Sequence, residues 1–389
     1  MSALSSDMPP DLRNAADPTR EGNYITPLEA WFMDTETTCQ HHYTRQTKPS
    51  TFQEQEPATI TKQNDPPPPP HPTPIPATYT PKSHLRTIPS TTPIEYILAI
   101  LSRDGGVIIS DFIPREDLTA IDTELTPWTS ASTSTSTKKP TSTSTSAFTT
   151  IPSQTTLIPG LVGKSPTIAR ITEEHPTLEA LRTRILVDEW CINREDSVEP
   201  NRLDPLLSLS VAMNIGYGAP RQLLHRDDNV HHVRHEYREW EWGWDQVSQF
   251  GCLIAGCDVS REMGATMFVK GSHRWGDERW AEFDHDKGEV CFAEMKAGSA
   301  LIFLASAYHG GGHNSLPGTV RNMYGLFFCR GHLRTEENQF LAIPRSVVTK
   351  MSPKMLELLG YKKPTTALGI VDNISPHEDV EGVWERVVR

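Results

Sequence analysis

No Cys-x-x-Cys pair occurs in the 389-residue chain; its six cysteines, Cys39, Cys191, Cys252, Cys257, Cys291 and Cys329, are scattered. That spacing argues against a structural zinc frame. With no signal-peptide-like start, reduced thiols in a cytoplasmic protein are expected. No apolar run approaches the ~18 residues that a membrane-spanning helix needs, so no membrane partner is expected. The C-terminal Val387-Val388-Arg389 matches neither a peroxisomal nor a prenylation signal. Basic clusters are lacking too, and the net charge is −12. Phosphate backbones are gripped by Lys and Arg, so nucleic acid is not expected as a partner and a small molecule is. Neither a GxGxxG nor a GxxxxGK[S/T] pattern opens a helix, which leaves a nucleotide-binding fold without support.

Proline, by contrast, is plentiful near the start, with Pro66 to Pro70 followed by Pro72, Pro74 and Pro76. Such a run favours extended polyproline backbone. Residues 1–92 are therefore read as a disordered, proline-rich extension, with order beginning near Pro93. Ile94 to Leu101 has helical spacing, and Asp104-Gly105-Gly106 ends it because glycine tolerates positive φ. Val107-Ile108-Ile109 then predicts a short strand, and Pro114 to Leu118 opens a second helix. A Ser/Thr tract over 129–150 buries too little surface to fold and is expected as an insertion. The domain is placed at 93–375, with a tail at 376–389.

From Leu206 to Phe328 the pattern is mainly β. Leu206 to Ile215, Gln249 to Cys257, Thr266 to Val269, Gly298 to Ala307 and Asn322 to Phe328 are apolar or alternating runs separated by polar, glycine-rich turns. Many short strands in one block predict a sandwich or jelly roll with flanking helices.

Chemistry concentrates in two of these turns. In Gln222-Leu223-Leu224-His225-Arg226-Asp227, extended backbone puts His225 and Asp227 on one face and Arg226 on the other. The same parity turns the neighbouring Asp228 away. The apolar run from Gly298 ends at Tyr308-His309-Gly310-Gly311-Gly312-His313, where a histidine precedes three glycines and backbone must pass close to something. Two histidines and one carboxylate on one side of a metal leave three positions open, which suits non-haem iron(II) that must take a cosubstrate and dioxygen. Arg321 begins the next strand, and a guanidinium grips the far carboxylate of a dicarboxylic acid in two-point fashion.

Taken together, Gln-x-x-His-x-Asp, Gly264-Ala265-Thr266 with Gly271-Ser272-His273, then His309-Gly-Gly-Gly and Arg321, resemble the phytanoyl-CoA dioxygenase family. The likeness is closest to its fungal branch, which oxidises secondary metabolites. It runs from about Ile94 to Gln339. The resemblance implies a double-stranded β-helix (a cupin-like jelly roll) with iron on His225, Asp227 and His309. It also implies that the 2-oxoglutarate C5 carboxylate sits on Arg321, with Gln222 and Thr266 as further contacts. Some members carry a serine two residues after the distal histidine; here that place is Gly311. A carboxylate at Asp227 favours hydroxylation over halogenation. An acyl-CoA hydroxylase and a metal-free binding protein are the alternative readings, and a homodimer is the assembly to test.

Other residues compete. His313 rivals His309, which is preferred for its strand-end position and its distance to Arg321. His231, His232 and His235 are read as a polar loop beside the site, and His273 as a structural turn residue. Trp240, Trp242 and Trp244 lie within five positions, where they either pack a long loop onto the sheet or line a mouth for a flat apolar substrate.

Overall fold

Alternation along the strands sorts the apolar side chains onto two faces of one large sheet. The computed structural model describes residues 72–134, 152, 154–231, 234–235, 242–362 and 368–370. These belong to one unit, residues 68–389. The proline run at 66–70, residues 135–150 of the Ser/Thr tract and the tail at 376–389 lie outside the described residues.

The elements, in order, are β1 (Thr87–Pro89), α1 (Ile94–Asp104), β2 (Gly106–Ser110), α2 (Arg115–Ser134), β3 (Thr155–Pro159), α3 (Pro166–Glu174) and α4 (Pro176–Leu181). They continue with β4 (Asp188–Asn193), β5 (Val198–Leu203), β6 (Leu206–Gly216), β7 (Gln249–Ala255), β8 (Thr266–Val269), β9 (Val290–Ala293), β10 (Ala300–Leu304), β11 (His309–Gly310) and β12 (Val320–Cys329). A seven-stranded sheet runs β1-β2-β10-β7-β12-β6-β3, and a three-stranded sheet runs β11-β8-β9. β4 and β5 form a separate hairpin.

One face of the large sheet carries Ile109, Ile302, Leu304, Cys252, Ile254 and Leu326, packed against apolar residues of α1 to α4 such as Leu101, Ile121, Ile168 and Leu178. The other face carries Ile108, Leu301, Phe303, Leu253, Met323 and Phe327, packed against Phe268, Cys291 and Ala293 of the small sheet. This period of two is the signature of strands buried on both sides. Two sheets closing on one core, with helices covering the outer face, give the double-stranded β-helix. Among the described residues no helix is long and apolar enough to cross a membrane, and the described cysteines are all free.

α1 ends as its sequence implies: Gly105 caps it at φ 78°. A side chain there would also be strained and meet His273 Nδ1 at 2.6 Å. α2 runs into the first part of the Ser/Thr tract, to Ser134. Ordered structure starts upstream of Pro93, earlier than the residue pattern implies. β1 pairs with β2 in parallel, and Tyr79 is buried with its hydroxyl donating to Val290 O at 2.7 Å. Arg261 clamps the same segment by donating to Tyr79 O and Pro76 O. What holds residues 76–89 is long-range pairing onto partners far along the chain, which leaves no local periodicity to read.

Candidate metal centre

Three short backbone segments meet at one end of the β-helix. His225 and His309 form an antiparallel bridge, each N–H donating to the other's carbonyl at 2.9 Å. Asp227 N donates to Ala305 O at 2.9 Å, which ties the His-x-Asp segment to the loop after β10. The residue before His309 is fixed as well: Ser272 Oγ accepts from Tyr308 N at 2.8 Å and donates to Val269 O at 2.6 Å.

The side chains converge. His225 Nε2 lies 3.4 Å from Asp227 Oδ1, and His309 Nε2 lies 3.3 Å from Asp227 Oδ2. One ligand atom from each of the three residues falls within 4.8 Å of the others. His225 Nδ1 faces Leu223 O at 2.8 Å and His309 Nδ1 faces Ala307 O at 3.0 Å. An Nδ1–H held by a carbonyl fixes the ring and leaves the Nε2 lone pair for a metal. Phe303 braces the His309 ring at 4.5 Å between centroids. Burial pushes the Asp227 carboxyl up, but His309 and His225 outweigh it and hold the group far below the usual carboxylate range. Burial likewise opposes protonation of His225, and Asp227 overrides it, so its pKa is raised.

Arg321 comes in from β12 and is only 3% exposed. Its Nε and Nη1 are buried with no hydrogen-bond partner, and burial lowers its pKa to about 10. A buried cation with unfilled donors is costly unless an anion meets it. Gln222 lies beside it: its Oε1 accepts from Gly311 N at 2.6 Å, and its own N–H donates to Gly311 O at 2.8 Å. A Cβ at Gly311 would lie 3.0 Å from Gln222 Oε1 and 3.3 Å from Arg321 Nη2. The glycine run therefore has a steric cause: at Gly310 a Cβ would meet Leu223 O at 2.9 Å, and at Gly312 it would meet Ala265 O at 2.6 Å. Thr266 lies two residues before Phe268 on β8, on the same inward face, and is buried.

The competing residues go elsewhere. His313 Nδ1 lies 2.8 Å from Ala219 O, apart from the three converging groups. Asp228 is buried and meets His235 Nε2 at 3.2 Å, and His231 meets Arg334 O at 3.0 Å. His273 is buried with its Nε2 3.0 Å from Ser102 O. Arg226 points away from Asp227 onto the Tyr308 ring. Trp242 stacks edge-on against His273 and Trp244, and both tryptophans pack against the helix-side core. His232 and Trp240 lie outside the described residues. The carbonyls that orient the rings, the Phe303 brace and the anchoring of Asp227 on Ala305 leave no mark in the sequence, because they depend on main chain and on tertiary contact.

The model of the phytanoyl-CoA dioxygenase (PhyH) family matches residues 101–323, more than half of the chain. A dioxygenase of Arthroderma benhamiae, swnH1, is 48% identical over 311 residues, covering 80% of this chain and 96% of that protein. A second from the same fungus, swnH2, is 44% identical over 316 residues, covering 81% and 96%. Among solved structures, HygX from Streptomyces hygroscopicus with nickel and 2-oxoglutarate bound aligns at 15% identity, covering 63% of this chain and 90% of that one, with a TM-score of 0.43. The chain belongs to the phytanoyl-CoA dioxygenase family, and it is an iron(II)- and 2-oxoglutarate-dependent dioxygenase.

Proposed function

We propose that His225, Asp227 and His309 hold the iron, and that Arg321 takes the C5 carboxylate of 2-oxoglutarate with Gln222 and Thr266 beside it. On this reading the enzyme oxidises a bulky, largely apolar small molecule by hydroxylation, in the making of a secondary metabolite. The observation that carries the site assignment is Arg321: a buried guanidinium with two unpartnered nitrogens, next to three converging metal-type ligands. A dicarboxylate satisfies it in the two-point manner that guanidinium geometry favours.

When bound, iron(II) with 2-oxoglutarate supplies the oxidant for an unactivated C–H bond. The chain's own residues do the rest. Leu223 O and Ala307 O set which imidazole nitrogen faces the centre. Gln222 locks the Gly311 backbone that shapes the cosubstrate pocket. The inner face of the large sheet supplies apolar surface, with Leu157, Leu209 and Met213 partly buried against Phe327 and Leu253. Such a surface excludes water and favours an apolar substrate body. The fungal relatives, all named dioxygenases, support a role in small-molecule oxidation.

Two measurements test this. The purified enzyme is expected to form succinate from 2-oxoglutarate only with iron(II). A strain lacking the gene is expected to accumulate a metabolite one oxygen atom poorer than the parent's product. Succinate formation that ignores iron overturns the site assignment. A mass difference of two hydrogens instead of one oxygen overturns hydroxylation.

A further inference from the structure

One carboxylate beside this centre has no cationic partner among the described residues. Glu336 follows β12 and is only partly exposed. Its Oε1 accepts from Gln249 Nε2 at 2.7 Å and from Ser208 Oγ at 3.2 Å, and its backbone N–H donates to Ser208 Oγ at 3.1 Å. The carboxylate is thus fixed through one oxygen, and no donor is seen on Oε2. Gln249, 1% exposed, starts β7 and shares the inward parity of Leu253 and Ala255. Its carbonyl accepts from Ala305 N at 3.0 Å, and the Ala305 carbonyl accepts from Asp227 N. Glu336 therefore stands two hydrogen-bonded steps of backbone from a metal-facing carboxylate.

Two other buried or partly buried carboxylates are neutralised. Asp188 pairs with Arg330 and His332, and Asp104 pairs with Arg103 and Lys270. A partly buried anion without such a partner is destabilising unless a ligand supplies the countercharge. Burial pushes the Glu336 carboxyl above the usual range. A cation held there offsets that burial. Two braces on Oε1 also preset the direction of Oε2, as a specificity contact requires.

We propose that Glu336 anchors the substrate by accepting a hydrogen bond from a protonated amine, with Gln249 and Ser208 as positioning residues. The substrate class is then a bulky hydrocarbon frame bearing a basic nitrogen. This rests on the reading of the metal centre given above.

The test uses the full-length enzyme, loaded anaerobically with iron(II) and 2-oxoglutarate. Its visible charge-transfer absorption is titrated with two matched pairs: 1-adamantylamine against 1-adamantanol, and 4-phenylpiperidine against its N-acetyl derivative. The amines are expected to half-saturate at concentrations about tenfold or more below their neutral partners, the range of a charge-assisted contact. Glu336→Gln, which keeps the Gln249 brace, is expected to erase that preference; Glu336→Asp keeps part of it. Iron content measured alongside shows whether the variant's centre is intact. Equal binding of amine and neutral partner, no amine binding by the wild-type enzyme, or an undiminished preference in Glu336→Gln overturns the proposal. Absence of the absorption band in the wild-type enzyme overturns the metal-site reading instead, and this one with it.

Discussion

Two buried arginines differ, at the scale of one residue, in how their donors are used. Arg330, equally buried, fills its donors with the carbonyls of Val247, Ile185 and Trp244 and pairs with Asp188. Arg321 leaves Nε and Nη1 open. Replacing it with lysine keeps the charge but loses the planar fork. Arg321→Lys is expected to raise the KM for 2-oxoglutarate about 10- to 100-fold, by succinate assay; an unchanged KM would mean the cosubstrate is held elsewhere. Gly311 makes a finer test. An added methyl sits 3.0 Å from Gln222 Oε1 and 3.3 Å from Arg321 Nη2, so both must give by a few tenths of an ångström. Gly311→Ala should raise the same KM several-fold while leaving iron content unchanged.

The elements position these groups, and their contributions separate by the measurement that reads them. Phe303 on β10 is fully buried between the sheets and touches the His309 ring. Phe303→Ala should cost about 3–5 kcal/mol of stability, seen in denaturant unfolding. It should also weaken iron retention, because His309 loses its brace. The turn after β8 carries a pH dependence. Burial pushes the His273 pKa down to about 4, whereas the unfolded imidazole titrates near pH 6.5. The unfolded state binds more protons between those values. Stability is therefore full above about pH 6.5 and is lost as pH falls toward 4, by up to ~3 kcal/mol. His273→Asn should flatten that part of the stability profile; a profile unchanged by the substitution would remove His273 as its source. Much at this scale is legible in the sequence. Thr266–Val269 reads directly as a strand, the runs from Leu206 and Asn322 lie within β6 and β12, and the run from Gln249 overshoots the end of β7 at Ala255. β11 does not announce itself: two residues are too short to show a period.

At the scale of the whole molecule, the parts most visible in sequence and the parts that complete the fold are different. His-x-Asp and the glycine-flanked histidine are readable because metal chemistry restricts residue type and spacing. Thr87–Pro89 and the segment around Tyr79 are not, because their partners are β2, Val290 and Arg261, far along the chain. Tyr79→Ala should cost about 3–5 kcal/mol, and removing residues 72–89 should cost more, since it uncovers β2 as well. A calorimetric Tm unchanged by the truncation would mean that this segment adds nothing to the domain. The same long-range economy explains Glu336, which stands alone in sequence and gains its meaning from Gln249 and Ser208.

The central claim is the set of three ligands, and iron stoichiometry after anaerobic reconstitution tests it most directly. Wild-type chain and His313→Ala should each bind iron in equal amount with the chain, while His309→Ala, His225→Ala and Asp227→Ala should bind little. Loss of iron in His313→Ala with retention in His309→Ala would contradict the account.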